Sequence, residues 1–96
     1  MKHLDERVIF QMIAQMLDAN KDEFTYHAIK RMRERNIETS DVYDILRNPT
    51  EVDDERESED QMFTGKYNYR VKGKFEWSVV ISIDFPNNMF IVTVID

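Results

Sequence analysis

The 96-residue sequence contains no cysteine, only two glycines and two prolines, and no long hydrophobic run. Without cysteine the chain cannot be a disulfide scaffold, a zinc finger with cysteine ligands or a thiol enzyme. With so little glycine and proline it is neither fibrous nor of low complexity. Its longest apolar runs, such as Val79–Ile81 and Phe90–Val92, are far shorter than the ~20 residues of a membrane span. Since the first residues also lack the layout of a signal peptide, we expect a cytoplasmic protein.

Negative charge is abundant, and it is concentrated in one segment. The formal net charge is −6 at pH 7, and residues 51–60 hold seven acidic residues against one basic residue, which accounts for all of it. Residues 27–35 carry four basic residues against one acidic residue. We expect a solvated acidic loop over residues 51–60, with a mimic of nucleic acid or a docking tail for a basic partner as the alternatives. The overall charge argues against a general nucleic-acid coater but is compatible with a small, focused anion site.

Apolar residues recur with helical spacing in the first half of the chain and with a period of two in the second half. The pattern predicts helices over about residues 4–19, 25–36 and 39–47, and strands over about residues 62–64, 67–71, 75–85 and 89–95. We therefore expect a single domain over residues 1–96 of the α+β class, in which two to three N-terminal helices pack on a curved antiparallel β-meander.

Capping residues set the ends of the predicted helices. Thr25 is the expected N-cap of the second helix and Asn36 its left-handed C-terminal residue, whereas Thr39 or Ser40 is expected to cap the third. The third helix should end at Asn48-Pro49, because the residue before a proline disfavours helical geometry.

The first helix, an extra N-terminal element within residues 1–20, has a broad apolar face. Two rows of apolar side chains run along it, one of Leu4, Val8, Met12 and Met16 and one of Ile9, Ile13 and Leu17. Such a face is typical of a helix that is covered on more than one side. It fits a core helix, and it also fits a surface for a second protomer or a partner helix.

The second helix carries the strongest candidates for chemistry. His27, Arg31 and Arg35 are spaced at i, i+4 and i+8, so they lie within about 80° of one another beside the apolar stripe of the helix. Basic side chains at the rim of a core can bind an oxyanion or a phosphate, and an imidazole can transfer a proton near neutral pH. The alternative is structural: the histidine bonds to backbone and the arginines pair with carboxylates.

The predicted strands add two candidates, Arg70 and Thr93. Arg70 lies on the same strand face as Asn68 and Lys72. Thr93 interrupts an otherwise apolar last strand, although a β-branched residue is ordinary there. His3 has no partner pattern and is assigned no role. The sequence contains no glycine-rich phosphate loop, dinucleotide motif, metal-ligand cluster or nucleophile elbow, so we expect no cofactor and no metal.

The stretch Phe24–Pro49 (FTYHAIKRMRERNIETSDVYDILRNP) resembles a small, widespread prokaryotic domain family of unknown function. Its members open with H-A-x-x-R-M-x-x-R-x-I, continue with D-V-x-x-x-L-x-N-P and end in strands with Y-x-V and V-T-V, here Tyr69–Val71 and Val92–Val94. The resemblance covers roughly Phe24–Ile95. That family is generally grouped with RelE-like toxins, in the wider barnase–colicin–RelE ribonuclease-like fold. The resemblance therefore implies a RelE-like fold with its binding groove at the second helix and the sheet.

The resemblance also implies an activity, metal-independent cleavage of RNA by the adjacent 2′-hydroxyl, as in a toxin-type endoribonuclease or a degenerate relative. His27 would serve as general acid or base, and Thr93 would position a phosphate oxygen. The residues implied to stabilise the charge on the phosphorane are Arg31, Arg35 and Arg70. The implied partners are RNA or the ribosome, a neutralising antitoxin protein and a second copy of the chain through the first helix, with no membrane.

Two other interpretations of the sequence remain open. One is a non-catalytic module that binds an anionic ligand in the same groove, or a protein through its apolar first helix. The other is a housekeeping dimer with no role in nucleic-acid chemistry. The fold alone does not decide between them, because one fold hosts many functions.

Overall fold

The computed structural model describes residues 6–54 and 67–95. Their elements are α1 (Glu6–Asp18), β1 (Asp22–Phe24), α2 (Tyr26–Glu34), α3 (Thr39–Arg47), β2 (Glu51–Asp54), β3 (Tyr67–Lys72), β4 (Ser78–Asp84) and β5 (Asn88–Ile95). Within these residues three helices and five strands make an α+β fold, which confirms the predicted class. His3, residues 55–60 of the predicted acidic loop and the predicted strand over residues 62–64 lie outside the described residues.

The five described strands form one sheet in the order β1-β5-β4-β3-β2. The strands from β2 to β5 pair antiparallel, as a meander requires, but β1 runs parallel to β5. The sheet is therefore mixed rather than purely antiparallel. β1 has only three residues, and two of them are acidic, so no apolar alternation marks it as a strand in the sequence.

The acidic segment begins as a strand. In β2, Glu51 stands opposite Lys72 and Asp53 stands opposite Arg70. The Lys72 ammonium lies 3.3 Å from the Asp53 carboxylate and 4.0 Å from that of Glu51. The prediction of a loop over residues 51–60 is therefore wrong for the first four residues, which form β2. Cations on β3 offset the repulsion between neighbouring carboxylates and allow the edge strand to pair.

The helix boundaries follow from local capping. The Thr25 hydroxyl accepts a hydrogen bond from the Ala28 N–H at 3.0 Å, and Asn36 has a φ of 58°, which confirms both predicted ends of α2. For α3 the prediction of Thr39 or Ser40 is wrong, since the N-cap is Glu38. The Asp41 carboxylate accepts from the Glu38 N–H at 3.1 Å, so the cap lies one residue earlier.

The strand β4 is shorter than predicted. It begins at Ser78, whereas the alternation of apolar residues predicts a start at Phe75. Residues 74–77 bend instead, and the rings of Phe75 and Trp77 stack with their centroids 5.0 Å apart against the core. The alternation of Phe75 and Trp77 therefore reflects two aromatic rings that stack on each other, and not the start of the strand.

The helix α1 packs into the core of its own chain. Ile9, Ile13, Met16 and Leu17 are at most 6% exposed and join the core residues of α2, α3 and the sheet. At its start, the Glu6 carboxylate accepts a hydrogen bond from the Val52 N–H of β2 at 2.9 Å. None of the helices in the described residues is long and apolar enough to cross a membrane.

The two faces of the sheet differ in chemistry. One face belongs to the hydrophobic core and carries Tyr69, Val71, Val79, Ile81, Ile83, Met89, Ile91 and Val94. Because side chains alternate along a strand, the residues between them lie on the opposite face. We call this opposite face the polar face, because besides the apolar Val80 and Phe90 it carries Asn68, Arg70, Ser82 and Thr93.

Candidate functional site

The first turn of α2 is attached to β5. The Thr25 N–H donates to the Ile91 carbonyl at 3.0 Å, and the Thr25 hydroxyl donates to the Val92 carbonyl at 2.9 Å. The register between β4 and β5 shifts at this point and leaves Val92 as the extra residue of a β-bulge. The basic helix therefore starts beside the bulge, next to Thr93.

Arg31 is the one member of the predicted basic row that is partly buried. It lies three positions after Ala28 and directly before Met32, both of which are core residues, on a helix that packs against β5. Its Nε is buried and has no hydrogen-bond partner, and no carboxylate of the described residues forms an ion pair with it. A half-buried cation without a counter-charge is costly, and an anionic ligand would remove that cost.

His27 and Arg35 flank Arg31 on α2 and are exposed. Arg35 follows the last helical residue, and its N–H donates to the Arg31 carbonyl at 3.1 Å. The Arg35 residue also makes a further interaction, whereas no described residue makes a hydrogen bond with the His27 side chain. Of the predicted row, His27 and Arg31 lie on α2 and Arg35 caps it, and Arg31 is the partly buried member.

Arg70 and Thr93 share one row of the polar face. Arg70 stands opposite Val80, and Val80 stands opposite Thr93. Since adjacent strands are about 4.8 Å apart, the backbones of Arg70 and Thr93 are separated by about 10 Å. Arg70 is half-buried and has an interaction partner. Thr93 is 2% exposed, and its hydroxyl donates to the Val94 carbonyl at 3.4 Å.

The structure therefore gathers the five predicted site residues only in part. It places Arg70 and Thr93 in one row and Arg31 on the helix beside the strand that carries Thr93. His27 lies on the same helix, Arg35 is its C-cap, and both are exposed. A ligand that bridges α2 and the polar face would be needed to join the two groups.

Asn68 and Ser82 are residues of the polar face to which the sequence assigns no role. They stand opposite each other on β3 and β4, at 0% and 1% exposure. Neither Nδ2 nor Oδ1 of Asn68 has a hydrogen-bond partner in the described part of the chain. The buried polar side chains among the described residues, Asn68, Ser78, Ser82 and Thr93, all lie on this face. The alternation of β3 places Asn68 beside Arg70, but only the structure shows that its amide is unsatisfied.

A separate cleft of about 340 Å³ lies between α1, β1 and α3. It is lined by Leu17, Asn20, Asp22, Tyr43 and Arg47. The Tyr43 hydroxyl donates to the Asp22 carboxylate at 2.7 Å, and Arg47 pairs with Asp18 at 2.8 Å. None of the predicted site residues lines this cleft. In residues 6–54 and 67–95, no group of three or more histidines and acidic residues could hold a metal ion.

The comparison with known proteins identifies the family. Residues 24–96 match a family model described as a domain of unknown function, DUF4258. The chain belongs to the DUF4258 family. The match begins at the end of β1 and contains α2, α3 and the strands β2–β5, so all five predicted site residues lie within the DUF4258 region, whereas α1 precedes it. No curated protein and no solved structure is significantly similar to the chain.

Proposed function

We propose that this DUF4258 protein binds RNA where α2 meets the polar face of the sheet and cleaves it without a metal ion, as a RelE-like endoribonuclease. The observation that supports the proposal most directly is the Arg31 guanidinium, half-buried and without a counter-charge in the described residues. Arginine binds phosphate through two parallel hydrogen bonds, and a partly desolvated guanidinium does so more strongly than an exposed one. RNA supplies phosphates at a regular spacing.

In the proposed reaction the ribose 2′-oxygen attacks the adjacent phosphorus. The 2′-O–P bond forms, the P–O5′ bond breaks, and the products are a 2′,3′-cyclic phosphate and a free 5′-hydroxyl. His27 takes the proton of the 2′-hydroxyl or delivers one to the leaving 5′-oxygen. Arg31, Arg35 and Arg70 stabilise the extra negative charge of the phosphorane, and Thr93 positions a phosphate oxygen. Water serves as acid or base in the other of these two proton transfers, so the proton lost from O2′ is matched by one gained at O5′, and no oxidant or metal is required.

A second function, non-catalytic binding of an anionic ligand, is favoured by the state of His27 and Thr93. A catalytic base is usually oriented by a hydrogen-bond partner, and no described residue supplies one to His27. The Thr93 side chain is buried and its hydroxyl is already engaged with a backbone carbonyl. A binding module needs only Arg31 and Arg70 and does not depend on either of these groups.

The proposal extends to location and partners. A RelE-like toxin would act in the cytoplasm, on free RNA or on the ribosome, and would be neutralised by an antitoxin protein. A homodimer through the first helix would have to use the exposed side of α1, where Val8 is 42% exposed, because the opposite side is buried in the core.

The test is cleavage of labelled single-stranded RNA in EDTA, with and without ribosomes. The wild type is compared with His27→Ala, Arg31→Ala and, as a matched control, Arg33→Ala. Arg33 is an exposed base on the same helix with no ion pair among the described residues, so its loss changes the charge equally. Circular dichroism and thermal melts establish that each variant is folded.

The ribonuclease is supported by cleavage that His27→Ala and Arg31→Ala each reduce by about 100-fold or more while Arg33→Ala reduces it by less than about 5-fold. Binding without cleavage that depends on Arg31 but not on His27 favours the non-catalytic module. If the wild type neither cleaves nor binds RNA under any of these conditions, the ribonuclease is rejected, and so is a binding module whose anionic ligand is RNA.

A further inference from the structure

Asn68 is a polar side chain that the fold does not use. It is 0% exposed in the middle of β3, and neither its donor nor its acceptor atom is bonded in the described residues. Leaving buried polar groups unsatisfied destabilises a fold, whereas an apolar side chain of similar size at the same position would stabilise it. An unsatisfied amide of this kind is expected where a ligand completes its hydrogen bonds.

The position of Asn68 relative to Arg70 indicates what that ligand group is. The two residues are two positions apart on the same face of β3, which separates their backbones by about 7 Å. The side chain directly opposite Asn68 is the hydroxyl of Ser82, so donors and acceptors are concentrated in this row. A phosphate bound by Arg70 would bring its attached ribose to the row of Asn68, two positions along the same strand.

We propose that Asn68 binds the 2′-hydroxyl of that ribose and thereby distinguishes RNA from DNA. The 2′-hydroxyl donates one hydrogen bond and accepts another, and the amide offers one acceptor and a complementary donor. Asn68 is then a positioning residue, since orienting the 2′-oxygen is what an attack on the adjacent phosphorus requires. The inference rests on the proposed function, because it takes the phosphate to lie at Arg31 and Arg70.

Access to Asn68 involves the side chain of Arg70. Arg70 is half-buried with a buried Nε, so its long side chain lies along the polar face instead of extending into solvent. The proposal requires that phosphate binding draws the guanidinium away from the sheet and opens the row of Asn68 and Ser82, which are 0% and 1% exposed. Arginine has the rotamer freedom for this movement.

The experiment measures the affinity for a short oligouridine and for the matching oligodeoxyuridine, which differ only in the 2′-hydroxyl. His27→Ala serves as the reference protein so that the RNA stays intact during the measurement. Asn68→Leu, Asn68→Ala and Arg31→Ala are each introduced into this reference, and thermal melting is recorded for all of them. The leucine variant keeps the volume of the side chain, and the alanine variant covers the case in which leucine does not fit.

The reference is expected to bind the RNA more tightly than the DNA, by about 2- to 12-fold for each hydrogen bond that Asn68 makes. Either Asn68 variant should abolish this ratio without lowering the melting temperature, and Arg31→Ala should weaken both oligonucleotides equally. Two results overturn the role of Asn68 alone, provided that Arg31→Ala still weakens binding. One is an unchanged ratio in folded Asn68 variants, and the other is no preference for RNA in the reference. Loss of the Arg31 effect overturns the proposed function itself. A lower melting temperature for both Asn68 variants shows that the amide serves the fold and also overturns the inference.

Discussion

Tyr43 is a residue whose protonation is set by its neighbours. Partial burial, the hydrogen bond to Asp22 and the charge of Asp22 together raise the pKa of Tyr43 from 10.0 to about 12. A raised pKa means that the folded state favours the neutral phenol. The stabilisation is therefore complete below pH 10, where both folded and unfolded chains are protonated, and it is lost as the pH rises through about 12.

The pKa of Tyr43 leads to a prediction for alkaline titration. The difference between the phenolate absorbance of the wild type and that of Tyr43→Phe should rise with a midpoint near pH 12. The stability advantage of the wild type over Tyr43→Phe, measured by denaturant unfolding, should shrink over the same range of pH. A midpoint close to pH 10 would show that the hydrogen bond at 2.7 Å to Asp22 does not persist in solution.

Gly73 is required by close packing rather than by its backbone angles. A Cβ atom at this position would lie 3.1 Å from Cγ1 and 3.3 Å from Cα of Ile45, which is 1% exposed in α3. Gly73→Ala should therefore destabilise the protein by about 1–2 kcal/mol. An alanine lowers the entropy of the unfolded chain, which favours folding, but the overpacking against Ile45 costs more. Chemical denaturation tests this, with Glu76→Ala in the exposed part of the same loop as the control. An alanine variant as stable as the wild type would mean that α3 can move away.

At the scale of single residues, the sequence shows charge and spacing, but it does not show which side chains are buried or which polar groups lack a hydrogen-bond partner. The spacing of His27, Arg31 and Arg35 predicts one side of α2 for all three, and in the structure α2 contains His27 and Arg31 while Arg35 is its C-cap. The sequence does not show that only Arg31 is half-buried, because burial depends on how α2 packs against β5. It also does not show that the amide of Asn68 is unbonded, since that depends on the partners across two strands.

At the scale of elements, α1 raises the question of what a helix outside the DUF4258 region contributes. It precedes residues 24–96, yet four of its side chains are part of the core. Ile13 is 0% exposed, so Ile13→Ala should lower the free energy of unfolding by about 2–5 kcal/mol, the cost of a cavity. Val8→Ala, on the same helix at 42% exposure, should change it by less than about 0.5 kcal/mol.

Denaturant unfolding of the two variants decides between a core element and an interaction surface. A large effect of Ile13→Ala with a small effect of Val8→Ala means that α1 completes the domain. The reverse order, together with a change in oligomeric state measured by light scattering, would mean that the helix serves a second protomer through its exposed side.

The elements that the sequence predicts are those with a local signal. The helices α1 to α3 have apolar spacing and β3 to β5 have alternation, so each of them is predicted within a few residues. The strands β1 and β2 are different, because both consist largely of acidic residues and gain their pairing from neighbours that are distant in sequence. Bonds such as that between Glu6 and the Val52 N–H hold these edges, and no local pattern encodes them.

At the scale of the whole molecule, a net charge of −6 opposes the binding of RNA. Binding therefore depends on where the charges lie. The basic helix α2 is attached to β5, and the acidic strand β2 is at the far edge of the sheet. Between them, Arg70 stands opposite Asp53, so the carboxylate of Asp53 reduces the positive potential at one end of the polar face.

Asp53→Asn removes a carboxylate that stands opposite Arg70 and lies 3.3 Å from the Lys72 ammonium, so it should increase the affinity for RNA by about 2- to 5-fold, the range of a surface charge pair. Glu76→Gln removes the same charge from an exposed loop position and should have a smaller effect. Fluorescence anisotropy at several salt concentrations measures both. The difference should disappear towards 1 M salt, where screening acts over about 3 Å. Equal effects of the two variants would mean that only the net charge matters, and no effect of Asp53→Asn would place the RNA away from Arg70.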